Sequence, residues 1–120
     1  MIECTFSQLK TIGPDYINRM FGINWKWLNE YIDYRVSIIG DFKTELANPF
    51  AYCKKITQPI LIAHGNKDEN INIKYGRENY AVLKSRDKTF IEVDGAGHNT
   101  IWKEGGEDYS NKVFSFILRQ

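Results

Sequence analysis

The chain has 120 residues, 42% of them hydrophobic and 26% charged, and its 16 basic and 15 acidic residues leave a formal net charge of +1. A chain of this length is expected to form one domain that buries roughly two thirds of its unfolded surface. The basic residues are scattered among acids and never gather into a block, so neither nucleic acid nor an anionic membrane is an expected partner.

No apolar run approaches the roughly 18 to 20 residues that cross a bilayer, and Met1-Ile2-Glu3-Cys4-Thr5 has neither a basic flank nor a signal-type apolar stretch. A soluble, cytoplasmic protein is expected. Cys4 and Cys53 read as free thiols in a reducing compartment. Neither stands in C-x-x-C spacing and the chain has only two histidines, His64 and His98, so no metal site and no cofactor is expected.

Before Pro59 the pattern is helical. A first helix is predicted from about Pro14 to Gly22, proline favouring the first turn and glycine the position after the last. Asn24 is then an N-cap candidate, and Trp25, Leu28, Ile32, Val36 and Ile39 recur at helical spacing, predicting one buried apolar face that ends at Gly40. A short helix is predicted after Asn48-Pro49, through Phe50 to Lys54.

From Pro59 the texture turns to strand. Pro59-Ile60-Leu61-Ile62-Ala63-His64, closed by Gly65, predicts a strand buried on both faces of a parallel sheet, and Thr89-Phe90-Ile91-Glu92-Val93 a second. Between them a helix is predicted from about Asn72 to Ser85, burying Ile73, Tyr80 and Leu83, which makes a right-handed βαβ unit. A last helix is predicted to start near Asp108 and to carry Tyr109, Val113, Phe116 and Ile117 on one stripe.

Each strand of that unit delivers an ionisable residue just past its carboxy end, where open parallel sheets bind ligands. Asp68 follows the first in His64-Gly65-Asn66-Lys67-Asp68, and His98 follows the second in Asp94-Gly95-Ala96-Gly97-His98. If the strands are neighbours, the carboxylate reaches the ring and fixes its tautomer, leaving the other ring nitrogen as a base. Taken singly, each residue reads as an ordinary loop former; the order, spacing and strand context raise the pair above that.

Residues 59 to 68 resemble the penultimate strand and acid loop of α/β-hydrolases, and Gly95-Ala96-Gly97-His98-Asn99 resembles their histidine loop, with a separation of 30 residues typical of that family. The segment from Trp102 to Tyr109 and the closing helix resemble the ends of serine aminopeptidase-like and prolyl-oligopeptidase-like members. Glu3-Cys4-Thr5-Phe6-Ser7-Gln8-Leu9 is similar to the segment leaving the strand after the nucleophile strand. The resemblance is strongest over residues 57 to 118. It implies a partial α/β-hydrolase fold: a helical, cap-like segment over residues 1–58, then a βαβα unit over residues 59–120. It also implies Asp68 as acid and His98 as base.

The family's Gly-x-Ser-x-Gly elbow is not among these 120 residues. Ser7, Ser37, Ser85, Ser110 and Ser115 lack its surroundings, and Cys53 has no glycine-rich elbow to activate it. Glu69 competes with Asp68 as acid but should point elsewhere, and His64 reads as structural. Trp25, Trp27 and Tyr31 read as packing residues, with a pocket lining as the alternative. The resemblance implies a small ester or peptide substrate once a complementing amino-terminal half supplies the nucleophile. A non-catalytic, oligomerising binding or structural domain is the alternative. An open sheet edge and an uncovered apolar face predict self-association.

Overall fold

Ile60-Leu61-Ile62-Ala63-His64-Gly65 forms the middle strand of a three-stranded parallel sheet, and all six residues are buried, as a continuous apolar run covered on both faces requires. A computed structural model describes residues 1–119. In chain order the elements are β1 (Ile2–Glu3), α1 (Leu9–Phe21), α2 (Lys26–Ile39), a 3-10 turn (Thr44–Leu46), α3 (Pro49–Cys53), β2 (Ile60–Gly65), α4 (Ile73–Val82), β3 (Lys88–Val93) and α5 (Ile101–Leu118). β1 pairs with one side of β2, Ile2 opposite Ile62 and Glu3 opposite Ala63. β3 pairs with the other in unbroken register from Ile60 opposite Lys88 to Gly65 opposite Val93.

Alternate residues of a strand face opposite ways, so β2 feeds two cores. Leu61 and Ala63 join Cys4, Ile91, Val93 and the α5 residues Ile101, Tyr109, Val113 and Phe116. Ile60 and Ile62 join Cys53 and Leu83, against which Ile56, Tyr80 and Phe90 pack. Helices thus cover both faces of the sheet, and each fully buried aliphatic side chain in it contributes about 1.5–3 kcal/mol. Among the described residues no helix is long and apolar enough to cross a membrane.

The helices depart from the sequence expectations in ways that have local causes. α1 begins at Leu9, with Pro14 inside it rather than at its start, and it ends as predicted on Gly22 in the left-handed conformation. α2 is capped by Trp25, not Asn24, and none of its residues is buried. Leu28 and Ile32 of its apolar stripe are half-buried, while Trp25, Val36 and Ile39 are exposed. The stripe faces a cavity of about 220 Å³ shared with α1 and lined by Leu9, Pro14, Ile17, Ile32 and Val36, so it meets a groove instead of a packed layer. The helix pair also extends the molecule: its radius of gyration is 15.9 Å, against about 14 Å for a compact domain of this length.

α4 begins where expected, and Asn72 caps it, accepting from Lys74 N at 2.9 Å. Its buried residues are Tyr75, Gly76 and Asn79, however, and Ile73 and Tyr80 are only half-buried. Polar contacts set that face: Asn79 donates to Phe6 O at 2.9 Å, and a Cβ on Gly76 would stand 2.7 Å from Nδ1 of His64. α5 consists of a short helical stretch from Ile101 and, past a kink at Gly106 whose φ of 51° and ψ of −141° suit only glycine, a longer stretch that begins close to the predicted start near Asp108. Asp108, the expected N-cap, pairs with Lys112 at 2.6 Å. Tyr109, Val113 and Phe116 are buried as expected, whereas Ile117 is exposed.

The feature that positions the site is the contact between the loops leaving β2 and β3. Asn66 N donates to Val93 O at 3.1 Å and Lys67 N to Ala96 O at 2.9 Å. The Asn66 side chain spans the gap, accepting from Gly95 N at 2.9 Å and donating to Asp94 Oδ1 at 2.7 Å. So close is the approach that a Cβ on Gly65 would lie 2.2 Å from Ala96 O. Because the obstacle is backbone, it cannot rotate aside. Gly65→Ala is therefore expected to destabilise the fold by about 3 kcal/mol, the upper range of overpacking costs. Urea denaturation measures this, and a loss under about 0.5 kcal/mol, ordinary for an uncrowded surface position, would contradict the close approach.

Candidate active site

Three parallel strands end side by side, and each is followed by a residue with a donor atom for chemistry. Cys4 follows β1, Asp68 lies three residues past β2, and His98 lies five residues past β3. The sulfur of Cys4, a carboxylate oxygen of Asp68 and a ring nitrogen of His98 all lie within 4.8 Å of one another.

The acid is built into its loop. Asp68 Oδ1 accepts from Asn70 N at 2.9 Å and Ile71 N at 2.8 Å, closing a tight turn of the kind that short carboxylates favour. That leaves Oδ2 for His98, whose Nδ1 lies 2.8 Å away. The Asp68 side chain is 0% exposed and that of His98 30%, so a buried acid holds a base that reaches the surface. An ionised carboxylate only accepts, so the neutral ring donates from Nδ1 and carries its lone pair on Nε2. Gly97 N donates to Thr100 Oγ1 at 2.8 Å, tying the histidine loop to the start of α5.

Burial pushes the Asp68 carboxyl up, but the Ile71 N–H, the His98 ring and the Cys4 thiol outweigh it and hold the group below the usual carboxylate range. Cys4 behaves in the opposite sense. Burial, reinforced by the Asp68 carboxylate and only partly offset by Gly65 N–H, pushes its thiol up to about 12. It is therefore a neutral thiol at the acid's side and not an activated nucleophile. Its backbone φ of 44° is unusual for a residue with a side chain.

His64 is wholly buried. Its Nε2 lies 2.9 Å from Ile71 O and 3.3 Å from Asp68 Oδ2, so it buttresses the acid loop from beneath, the structural role expected of it. Glu69 is exposed, and its contribution is a backbone one: Arg19 of α1 donates to the carbonyls of Glu69 and, at 2.6 Å, Asn70. This clamp from α1 to the acid loop, like Cys4 beside Asp68, has no signal in spacing or periodicity, because long-range packing creates both.

Three of the serines bond to backbone carbonyls away from His98. Ser37 donates to Tyr34 O within α2 at 2.8 Å, Ser85 to Asp87 O at 2.9 Å and Ser110 to Gly106 O at 2.9 Å. Cys53, the last residue of α3, is buried in the core. Trp25, Trp27 and Tyr31, expected to pack, are exposed, the two indoles stacked at 5.9 Å. Among the described residues no side chain is hydrogen-bonded to Nε2 of His98.

No protein-family model and no curated protein matches the chain. Solved structures do. A monoacylglycerol lipase from Paleococcus ferrophilus is 26% identical over 64% of this chain, with a TM-score of 0.55. An esterase from Pyrococcus furiosus is 17% identical over 93% of it, with a TM-score of 0.58. An α/β-hydrolase from the metagenome of lagoon sediments of Mar Chica, Morocco, is 16% identical over 94%, with a TM-score of 0.51. The chain spans 30%, 39% and 59% of the lengths of these three chains.

The lowered carboxyl of Asp68 makes stability depend on pH. Its folded value lies below that of the unfolded chain, about 3.9. The ionised group therefore stabilises the fold above that pH, and the contribution is lost as pH falls through the lower folded value. Denaturant unfolding between about pH 5 and about pH 3 is expected to show a smaller acid loss for Asp68→Asn than for the parent. Equal acid losses would contradict the assignment.

Proposed function

We propose that this chain, which carries part of an α/β-hydrolase fold, supplies the acid Asp68 and the base His98 of a Ser-His-Asp triad. The serine would come from a segment outside these 120 residues or from another chain. The observation that carries the reading is the 2.8 Å contact between Nδ1 of His98 and Oδ2 of a wholly buried Asp68, with Nε2 left free. In the proposed mechanism Nε2 takes the proton of the serine hydroxyl as the oxygen attacks the carbonyl carbon, and returns it to the leaving group. Asp68, ionised throughout, holds the Nδ1–H tautomer and stabilises the imidazolium. A base so positioned contributes on the order of 10²–10⁴ in rate.

Esters are the favoured substrate class and amides the second, since a lipase and an esterase share the fold. Residues 1–58 would act as the cap-like part: Arg19 fastens α1 to the acid loop, and α1 and α2 enclose an apolar groove able to take a hydrocarbon chain. Both cysteines are free and buried, which suits a reducing compartment such as the cytoplasm. A second reading, an oligomerising domain without catalysis, is favoured by the exposed Met20, Phe21, Trp25, Trp27, Tyr31 and Ile39.

The purified chain is expected to resist labelling by a serine-reactive fluorophosphonate and to turn over p-nitrophenyl acetate negligibly. Co-expressed with a segment carrying Gly-x-Ser-x-Gly, it should acquire both, and His98→Ala should lower turnover by about 10³-fold or more. Robust labelling of the chain alone, or a complemented His98→Ala protein of full activity, would sink the triad assignment.

A further inference from the structure

Of the three donors gathered at the strand ends, Cys4, Asp68 and His98, the triad reading leaves Cys4 unused. Its thiol is buried at the side of Asp68, and Cys4 N is held by Ala63 O at 3.0 Å, so its backbone position is set by the β1–β2 pairing. The three donors come from three successive strand ends, and two of them, Cys4 and Asp68, are buried. They differ in kind: one sulfur, one oxygen and one nitrogen. That set, three protein ligands with a fourth direction opening at the partly exposed His98 ring, is the donor chemistry of zinc-class divalent cations.

We propose that Cys4, Asp68 and His98 form a binding site for a soft divalent cation of the zinc class. Zinc lies about 2.0–2.3 Å from such ligands, which places tetrahedral donors about 3.3–3.8 Å apart. Donor atoms already within 4.8 Å of one another therefore close on the ion through small side-chain rotations. His64 stays outside the set, because its Nε2 is engaged with Ile71 O. Two proton movements balance the step. The thiol proton of Cys4 leaves to solvent as sulfur binds the cation, and the His98 proton moves from Nδ1 to Nε2 as Nδ1 binds it.

The second movement has a consequence that rests on the acid–base reading above. With its proton on Nε2 the ring has no lone pair to offer a serine hydroxyl, so the bound cation switches the pair off. Binding itself does not rest on that reading.

Cobalt(II) chloride titrated into the purified chain tests the site, because a cobalt–thiolate bond gives a near-ultraviolet charge-transfer band. One equivalent is expected to produce the band and zinc chloride to displace it. Cys53→Ser should keep it and Cys4→Ser lose it, with circular dichroism confirming that the variant folds. Asp68→Asn should weaken cobalt affinity on the order of 10-fold or more, the scale of even outer-shell changes. His98→Gln, at a partly exposed position, takes the place of Cys4→Ser if that variant does not fold, with the same loss expected. No band in the parent chain, or one that survives Cys4→Ser, overturns the proposal. Because Cys4→Ser leaves Asp68 and His98 in place, a failure of metal binding is distinguishable from a failure of the triad assignment.

Discussion

The close approach of two backbones, Gly65 at the end of one strand and Ala96 just past the next, is the constraint on which the rest of the site depends. Parallel pairing of β2 and β3 brings the strand ends level, Gly65 opposite Val93. Without a side chain at Gly65 the loops can then touch, and Asn66 fastens them by hydrogen bonds in both directions. Asp68 and His98, 30 residues apart in the chain, fall 2.8 Å apart in space as a result. Their meeting is a property of the sheet more than of either residue.

Electrostatics complete what the backbone begins. A carboxylate wholly removed from water is costly unless its lone pairs are filled. Here two backbone N–H groups fill one oxygen of Asp68 and the imidazole the other, with the Cys4 thiol and the buried His64 alongside. The carboxylate is thus stabilised by its own loop, and it holds the imidazole in one orientation. Such preorganisation is what a general base requires.

Much of this was readable from residue order. The apolar run from Ile60 to Ala63, bounded by Pro59 and Gly65, suits a doubly covered strand, and the order and spacing of Asp68 and His98 set them past successive strand ends. Amphipathic pattern alone served less well wherever tertiary contacts overrode it. α4 turns Asn79 and Gly76 inward because Phe6 O needs a donor and His64 needs room, contacts that no hydrophobic count contains. α2 has a sound apolar stripe, yet among the described residues it meets only a groove beside α1. At α5 the Gly105-Gly106 pair does break the helix, as it reads locally, but a further turn from Ile101 packs ahead of the kink at Gly106. Cys4 looked like a lone thiol until β1 brought it against Asp68.

The central claim is that this chain, by itself, holds His98 in the tautomer a general base needs. Nitrogen-15 NMR of the imidazole at neutral pH tests it most directly. The account predicts a protonated Nδ1, coupled to a slowly exchanging proton that disappears in Asp68→Asn, and an unprotonated Nε2. A His98 ring protonated on Nε2 with Nδ1 bare, or one exchanging freely between tautomers, would contradict it.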